Sequence, residues 1–144
     1  MHRVRSRTRF TAGALVSVVL LSTVGATGVG ATNTPTLNLN ELNNGHTFVV
    51  SPGEHVTLTL HSTYWHVAPL TMQRSVRQIG STSVVGVLPG TSGCVPGQGC
   101  GTVRARYVAL APGLVRLRAT RTSCGEALRC SPAQSSWTAL LRVH

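Results

Sequence analysis

The chain has 144 residues, thirteen arginines, three glutamates and no lysine or aspartate, a length that suits one domain. So few acids exclude most chemistry that needs two carboxylates placed together. The formal charge of +10 invites an anionic partner. No run interleaves basic and aromatic residues as a nucleic-acid surface would, so nucleic acid is not an expected partner.

The first 31 residues read as a secretory signal peptide. Arg3, Arg5, Arg7 and Arg9 form a basic leader, and residues 12–24 are apolar with interspersed glycine and serine. Val29-Gly30-Ala31 is a small-residue cleavage site, with Val24-Gly25-Ala26 as a second candidate. The alternative is a membrane anchor, but the apolar run falls short of the ~20 residues that span a bilayer. Cleavage after Ala31 leaves nine arginines against three glutamates, a formal charge of +6. The expected product is extracellular and monomeric, with no stable membrane insertion.

From residue 32 the chain reads as short strands. Residues 36–39 alternate, with Leu37 and Leu39 on one side. Asn43-Asn44-Gly45 signals a turn, residues 47–50 a second strand, and Ser51-Pro52-Gly53 another turn. Residues 55–61 alternate cleanly, with Val56, Leu58 and Leu60 facing one way. Residues 63–67 are expected to form a further strand with Trp65 facing the core; residues 76–79 and 84–88 are weaker candidates. Residues 102–110 place Val103, Ala105 and Tyr107 inward and Arg104 and Arg106 outward. Ala111-Pro112-Gly113 turns the chain. Residues 114–120 then place Val115, Leu117 and Ala119 inward and Arg116 and Arg118 outward. Trp137, Ala139, Leu141 and Val143 form the inner face of a last strand. No window shows a helical apolar period. About eight short strands with regular turn signals predict an all-β immunoglobulin-like sandwich.

All four cysteines lie after residue 90, as Cys94 and Cys100 around Val-Pro-Gly-Gln-Gly and Cys124 and Cys130 around Gly-Glu-Ala-Leu-Arg. In a secreted chain an even count predicts disulfides. Local pairing, 94 with 100 and 124 with 130, suits two loops of turn-forming residues. Cross-pairing between adjacent loops is the alternative. A zinc site would prefer closer cysteine spacing than this.

Enzymatic chemistry finds little support. Glu41 and Glu54 sit near turns, Glu126 lies in a cysteine loop, and no Gly-x-Ser-x-Gly elbow is present. His55, His61 and His66 flank one strand, but six strand residues separate the first two by about 20 Å, too far to share a metal. No cofactor is expected. Glu126 is expected to pair with Arg121 or Arg129. The outward arginines either cover sheet faces with their long stems or meet an anionic surface polymer.

Three stretches together resemble the chagasin-like family of peptidase inhibitors. They are NELNNGHTFVVSPGEHVTLTL, GQGCGTVRARYVALAPGLVRLRATR and the closing SSWTALLRVH. The resemblance implies an immunoglobulin-like sandwich that blocks papain-like cysteine proteases with three loops at one end, without catalysis. The family's Gly-x-Gly-Gly loop has its counterpart in Gly97, Gln98, Gly99, Cys100 and Gly101. A second loop falls at Ser62, Thr63, Tyr64 and Trp65, without the family's Asn-Pro and Gly. Of the third, Arg-Pro-Trp, only Arg121 matches, followed by Thr122, Ser123 and the second cysteine loop.

Overall fold

The structure is a computed structural model that describes residues 34–71, 74–88, 94–95, 97–125 and 127–144. The expected signal peptide and Glu126 with its expected arginine pairing lie outside the described residues. No helix among the described residues is long and apolar enough to cross a membrane.

Among the described residues eleven strands follow one another: β1 (Thr36–Leu39), β2 (Thr47–Val50), β3 (His55–His61), β4 (His66–Val67), β5 (Val76–Gln78), β6 (Ser83–Gly86), β7 (Gly101–Ala109), β8 (Gly113–Thr120), β9 (Ser123–Gly125), β10 (Leu128–Arg129) and β11 (Ser136–Val143). A 3-10 turn, Glu41–Asn43, and a single helical turn, α1 (Pro132–Ser135), complete the elements. One sheet runs β1-β3-β7-β5, with β6 also paired to β7; the other runs β2-β11-β8-β4. β1 pairs with β3, and β2 with β11, in parallel. This is sterically straightforward because β1 and β2 lie in different sheets, so each edge strand meets a partner reached by crossing over.

Alternation builds the core. Val103, Ala105, Tyr107 and Ala109 are buried in β7 while Arg104 and Arg106 are exposed. β8 repeats the pattern with Val115, Leu117 and Ala119 inside and Arg116 and Arg118 outside. Val56, Leu58 and Leu60 of β3 face Trp137, Ala139, Leu141 and Val143 of β11 as the other main constituents of one buried cluster. Complete burial of a residue such as Leu58 or Leu141 stabilises the fold by about 2 kcal/mol. Trp65 is buried, as expected, although it precedes the strand and does not lie within one. The Trp137 indole N–H donates to the Asn40 carbonyl at 2.9 Å, which ties β11 to the 3-10 turn.

Three expectations need correction. The strand expected over residues 63–67 shrinks to His66–Val67, because the Thr63 amide bonds to the Gly99 carbonyl, in the connection before β7, instead of to a sheet. The strand expected over 84–88 occupies Ser83–Gly86. The second cysteine loop is itself a small antiparallel hairpin of β9 and β10, followed by α1. A local disulfide and a tight turn at Ala127, with φ of +55°, bring these short segments together.

Candidate functional site

Three connections gather at one end of the sandwich. Residues 62–65 cross from β3 to β4, residues 87–100 join β6 to β7, and residues 121–135 join β8 to β11. Strand register brings them together. His61 lies opposite Thr102, Gly86 opposite Gly101, and Thr120 opposite both Ser136 and His66.

The first two connections are bonded backbone to backbone. The Ser62 N–H donates to the Gly101 carbonyl at 2.9 Å, and the Thr63 N–H to the Gly99 carbonyl at 2.7 Å. The Tyr64 hydroxyl donates to the Gly97 carbonyl at 2.7 Å. The glycine spacing has a steric cause. A Cβ on Gly99, at φ of +64°, would sit 2.5 Å from the Tyr64 ring. A Cβ on Gly101, at φ of +133°, would sit 2.1 Å from the Val85 carbonyl oxygen. Ser62 holds a φ of +138° without being glycine, a costly conformation that the surrounding bonds must enforce. Its hydroxyl oxygen helps by accepting from the Tyr64 N–H at 3.2 Å.

Arg121 links the third connection to the first. Its guanidinium lies 4.5 Å from the centroid of the Trp65 ring, a cation–π contact. Its Nε–H donates to the Gln134 carbonyl at 2.9 Å, and its backbone N–H to the Ser135 carbonyl at 2.9 Å. The buried Trp65 Nε1–H has no hydrogen-bond partner among the described residues. Beside Arg121 is a cleft of about 710 Å³ whose lining includes Ser123, Leu128, Arg129 and Ser135.

Disulfides close two of the three connections. Cys94 bonds to Cys100 and Cys124 to Cys130, with Cα separations of 5.9 and 4.9 Å. The local pairing holds, and no free cysteine is found among the described residues. Below the loops, the Glu41 carboxylate accepts from the His61 backbone N–H and meets its ring Nδ1 at 3.0 Å. Burial pushes the Glu41 carboxyl up. The hydrogen bonds from His61, side chain and backbone together, outweigh this and hold it below the usual carboxylate value.

Thus Ser62, Thr63, Tyr64, Trp65, Gly97, Gly99, Gly101 and Arg121 form one connected cluster. Gln98 is exposed on its surface and donates its backbone N–H to the Val95 carbonyl. Residue typing overlooked Val95 and Leu128, which are 52% and 61% exposed within the two disulfide-closed segments. The available signal was an apolar residue between two cysteines, where no strand alternation requires one. Nothing in the cluster pairs a nucleophile with a base. Its chemistry is that of a shaped, rigid surface carrying exposed apolar tips and cations.

No family model matches the chain, and no curated protein matches it. Solved structures do share its fold. A cysteine protease inhibitor from Entamoeba histolytica superposes with a TM-score of 0.53 at 9% identity, covering 78% of this chain and 98% of the inhibitor. Amebosin superposes with a TM-score of 0.51 at 18% identity, covering 76% of this chain and 99% of amebosin. The all-β, immunoglobulin-like sandwich expected from the sequence is therefore the fold, and these two proteins share it.

Proposed function

We propose that the chain is a secreted, monomeric, non-enzymatic binding module that blocks the cleft of a papain-like cysteine protease. The observation that carries this reading is the joining of three sequence-distant loops at one end of the sandwich. The sequence resemblance, and the fold shared with a protein that is itself a cysteine protease inhibitor, support it further. The wedge consists of residues 62–65, residues 97–101 and Arg121 with its cysteine hairpin. Occlusion asks for no proton transfer or bond making. It asks for backbone that can approach closely, which glycine permits, and for loops that lose little freedom on binding. Disulfides and inter-loop hydrogen bonds meet the second need.

The test titrates Thr32–His144 against an active papain-type protease, with disulfides intact and then reduced. Stoichiometric inhibition that weakens on reduction is expected. A folded chain that leaves the protease fully active at micromolar concentration overturns the reading.

One observation favours a second reading, an envelope-associated module that meets anionic surface polymer. Arg104, Arg106, Arg116 and Arg118 all point outward, and none has an ion-pair partner among the described residues. Binding of that kind weakens steeply as salt rises, whereas occlusion depends on loop integrity.

A further inference from the structure

The two arginine-bearing sheet faces differ in shape. On the outer face of β2-β11-β8-β4, register sets Leu140 opposite Arg116 and Arg142 opposite Leu114. β4 is only two residues long and covers β8 at Ala119 and Thr120 alone, followed by one bond from the Ala68 N–H to the Arg118 carbonyl at 2.9 Å. Beyond that point the chain stands off from β8 and leaves a cleft of about 750 Å³. Leu114 and Leu140 line it beside Arg116 and Arg118, with Ala68 and Pro69 as a wall. A smaller hollow of about 220 Å³ shares Arg116 and Leu140 and carries the groove on toward His46 near β2. Among the described residues no carboxylate lines either hollow. Neither guanidinium has a hydrogen-bond or ion-pair partner among the described residues.

Unpaired guanidiniums over an apolar floor have a definite complement. A purely ionic ligand would leave Leu114, Leu140 and Pro69 wet, and a neutral alkane would leave two cations without a counter-charge. We infer that this groove binds an amphiphilic anion: a carboxylate head held between Arg116 and Arg118, with an unbranched apolar chain lying along Leu114, Leu140 and the Ala68-Pro69 wall. Arginine presents donors in a planar fork that matches a carboxylate. The apolar floor makes affinity depend on chain length, by up to about fourfold for each methylene fully buried. The site lies on a sheet face and not at the loop end, so it stands or falls independently of protease inhibition.

The test is an NMR titration of isotope-labelled Thr32–His144 with hexanoate, octanoate and decanoate below their micellar concentrations. Saturable shifts at the amides of Ala68, Leu114, Arg116 and Leu140 are expected, with affinity rising along the series. The double substitution Arg116→Ala/Arg118→Ala weakens decanoate about tenfold or more. Removing the same charge from the other sheet, in Arg104→Ala/Arg106→Ala, leaves it unchanged. All four side chains are exposed, so both variants keep the fold. Equal losses in the two double variants would reduce the effect to diffuse attraction and overturn the inference. So would affinity indifferent to chain length, or equally tight binding of a decyl ammonium cation.

Discussion

The two ends of the sandwich are built in opposite ways. At one end the chain reverses in short turns, each tied by hydrogen bonds within itself or to the reversal beside it. The Ser51 N–H donates to the Glu54 carboxylate at 3.0 Å, the Gly53 N–H to the Ala109 carbonyl at 2.9 Å, and the Ser75 hydroxyl to the Pro112 carbonyl at 3.2 Å. At the other end two of the three connections are long and carry one disulfide each, and all three hold one another through Tyr64, Trp65, Arg121 and three glycines. Short turns are set mainly by local geometry, with hydrogen bonds across to the reversal beside them. Long connections have to be braced from outside themselves, and the bracing makes a rigid surface available to a partner.

Substitution at Gly101 and at Gly53 gives the sharpest contrast between the two ends. Gly101→Ala should cost about 3 kcal/mol or more, because a methyl group meets the Val85 carbonyl oxygen at a positive φ. Gly53→Ala at the turn end, at φ of +87° with nothing within 4 Å of the new methyl, should cost only about 1 kcal/mol. Denaturant unfolding of the two variants measures both, and equal losses would erase the contrast.

Removing the second disulfide, by Cys124→Ser with Cys130→Ser, should lower stability by about 2 kcal/mol, the loop-closure value for so short a ring. Inhibition should fall by more than the stability loss explains, read as a raised inhibition constant for the folded fraction. Arg121→Ala removes the contact with Trp65 and should cost about 1 kcal/mol. A shift of the Trp65 indole resonance, with the turn-end amides unmoved, would localise the effect to the loop end.

Tyr107 lies in the core two residues from the turn end of β7, its buried hydroxyl without a partner among the described residues. Burial pushes its phenol up to about 12 from 10.0. A raised value means that the stabilisation from the neutral phenol is complete below pH 10 and is lost as pH rises through about 12. Tyr107→Phe should abolish that alkaline transition and leave stability at neutral pH unchanged or improved by up to about 1 kcal/mol. Ultraviolet titration of the phenolate checks the first point and thermal unfolding the second.

The smallest effect belongs to Glu41 beneath the loops. Its lowered carboxyl value means that its contribution is present above 4.5 and fades as pH falls through the folded value. The pair with His61 is largely exposed, so Glu41→Gln should change stability by less than about 1 kcal/mol. An acid titration monitored at His61 resolves it.

Much of the framework was legible in the residues alone. Period-2 alternation marked β3, β7, β8 and β11, because a sheet with one face buried sorts its side chains strictly. Turn chemistry marked the Ser51–Gly53 and Ala111–Gly113 reversals, because φ preference is local. The loop residues could be named by resemblance, but their joining could not be read. Whether Thr63 continues a strand or bonds to Gly99 depends on a segment more than thirty residues away. The β9–β10 hairpin hides in a stretch with no apolar alternation, and a cross-link and one positive φ at Ala127 shape it.

For β3, β7, β8 and β11, strand identity and facing followed from the sequence, since each depends on a residue and its nearest neighbours in the chain. The parallel pairing of the two edge strands, the stacking of Arg121 on Trp65, and the groove left where β4 stops short were decided only by tertiary structure. Each is a meeting of segments brought together by packing the two sheets, and no local preference encodes which distant surfaces will touch.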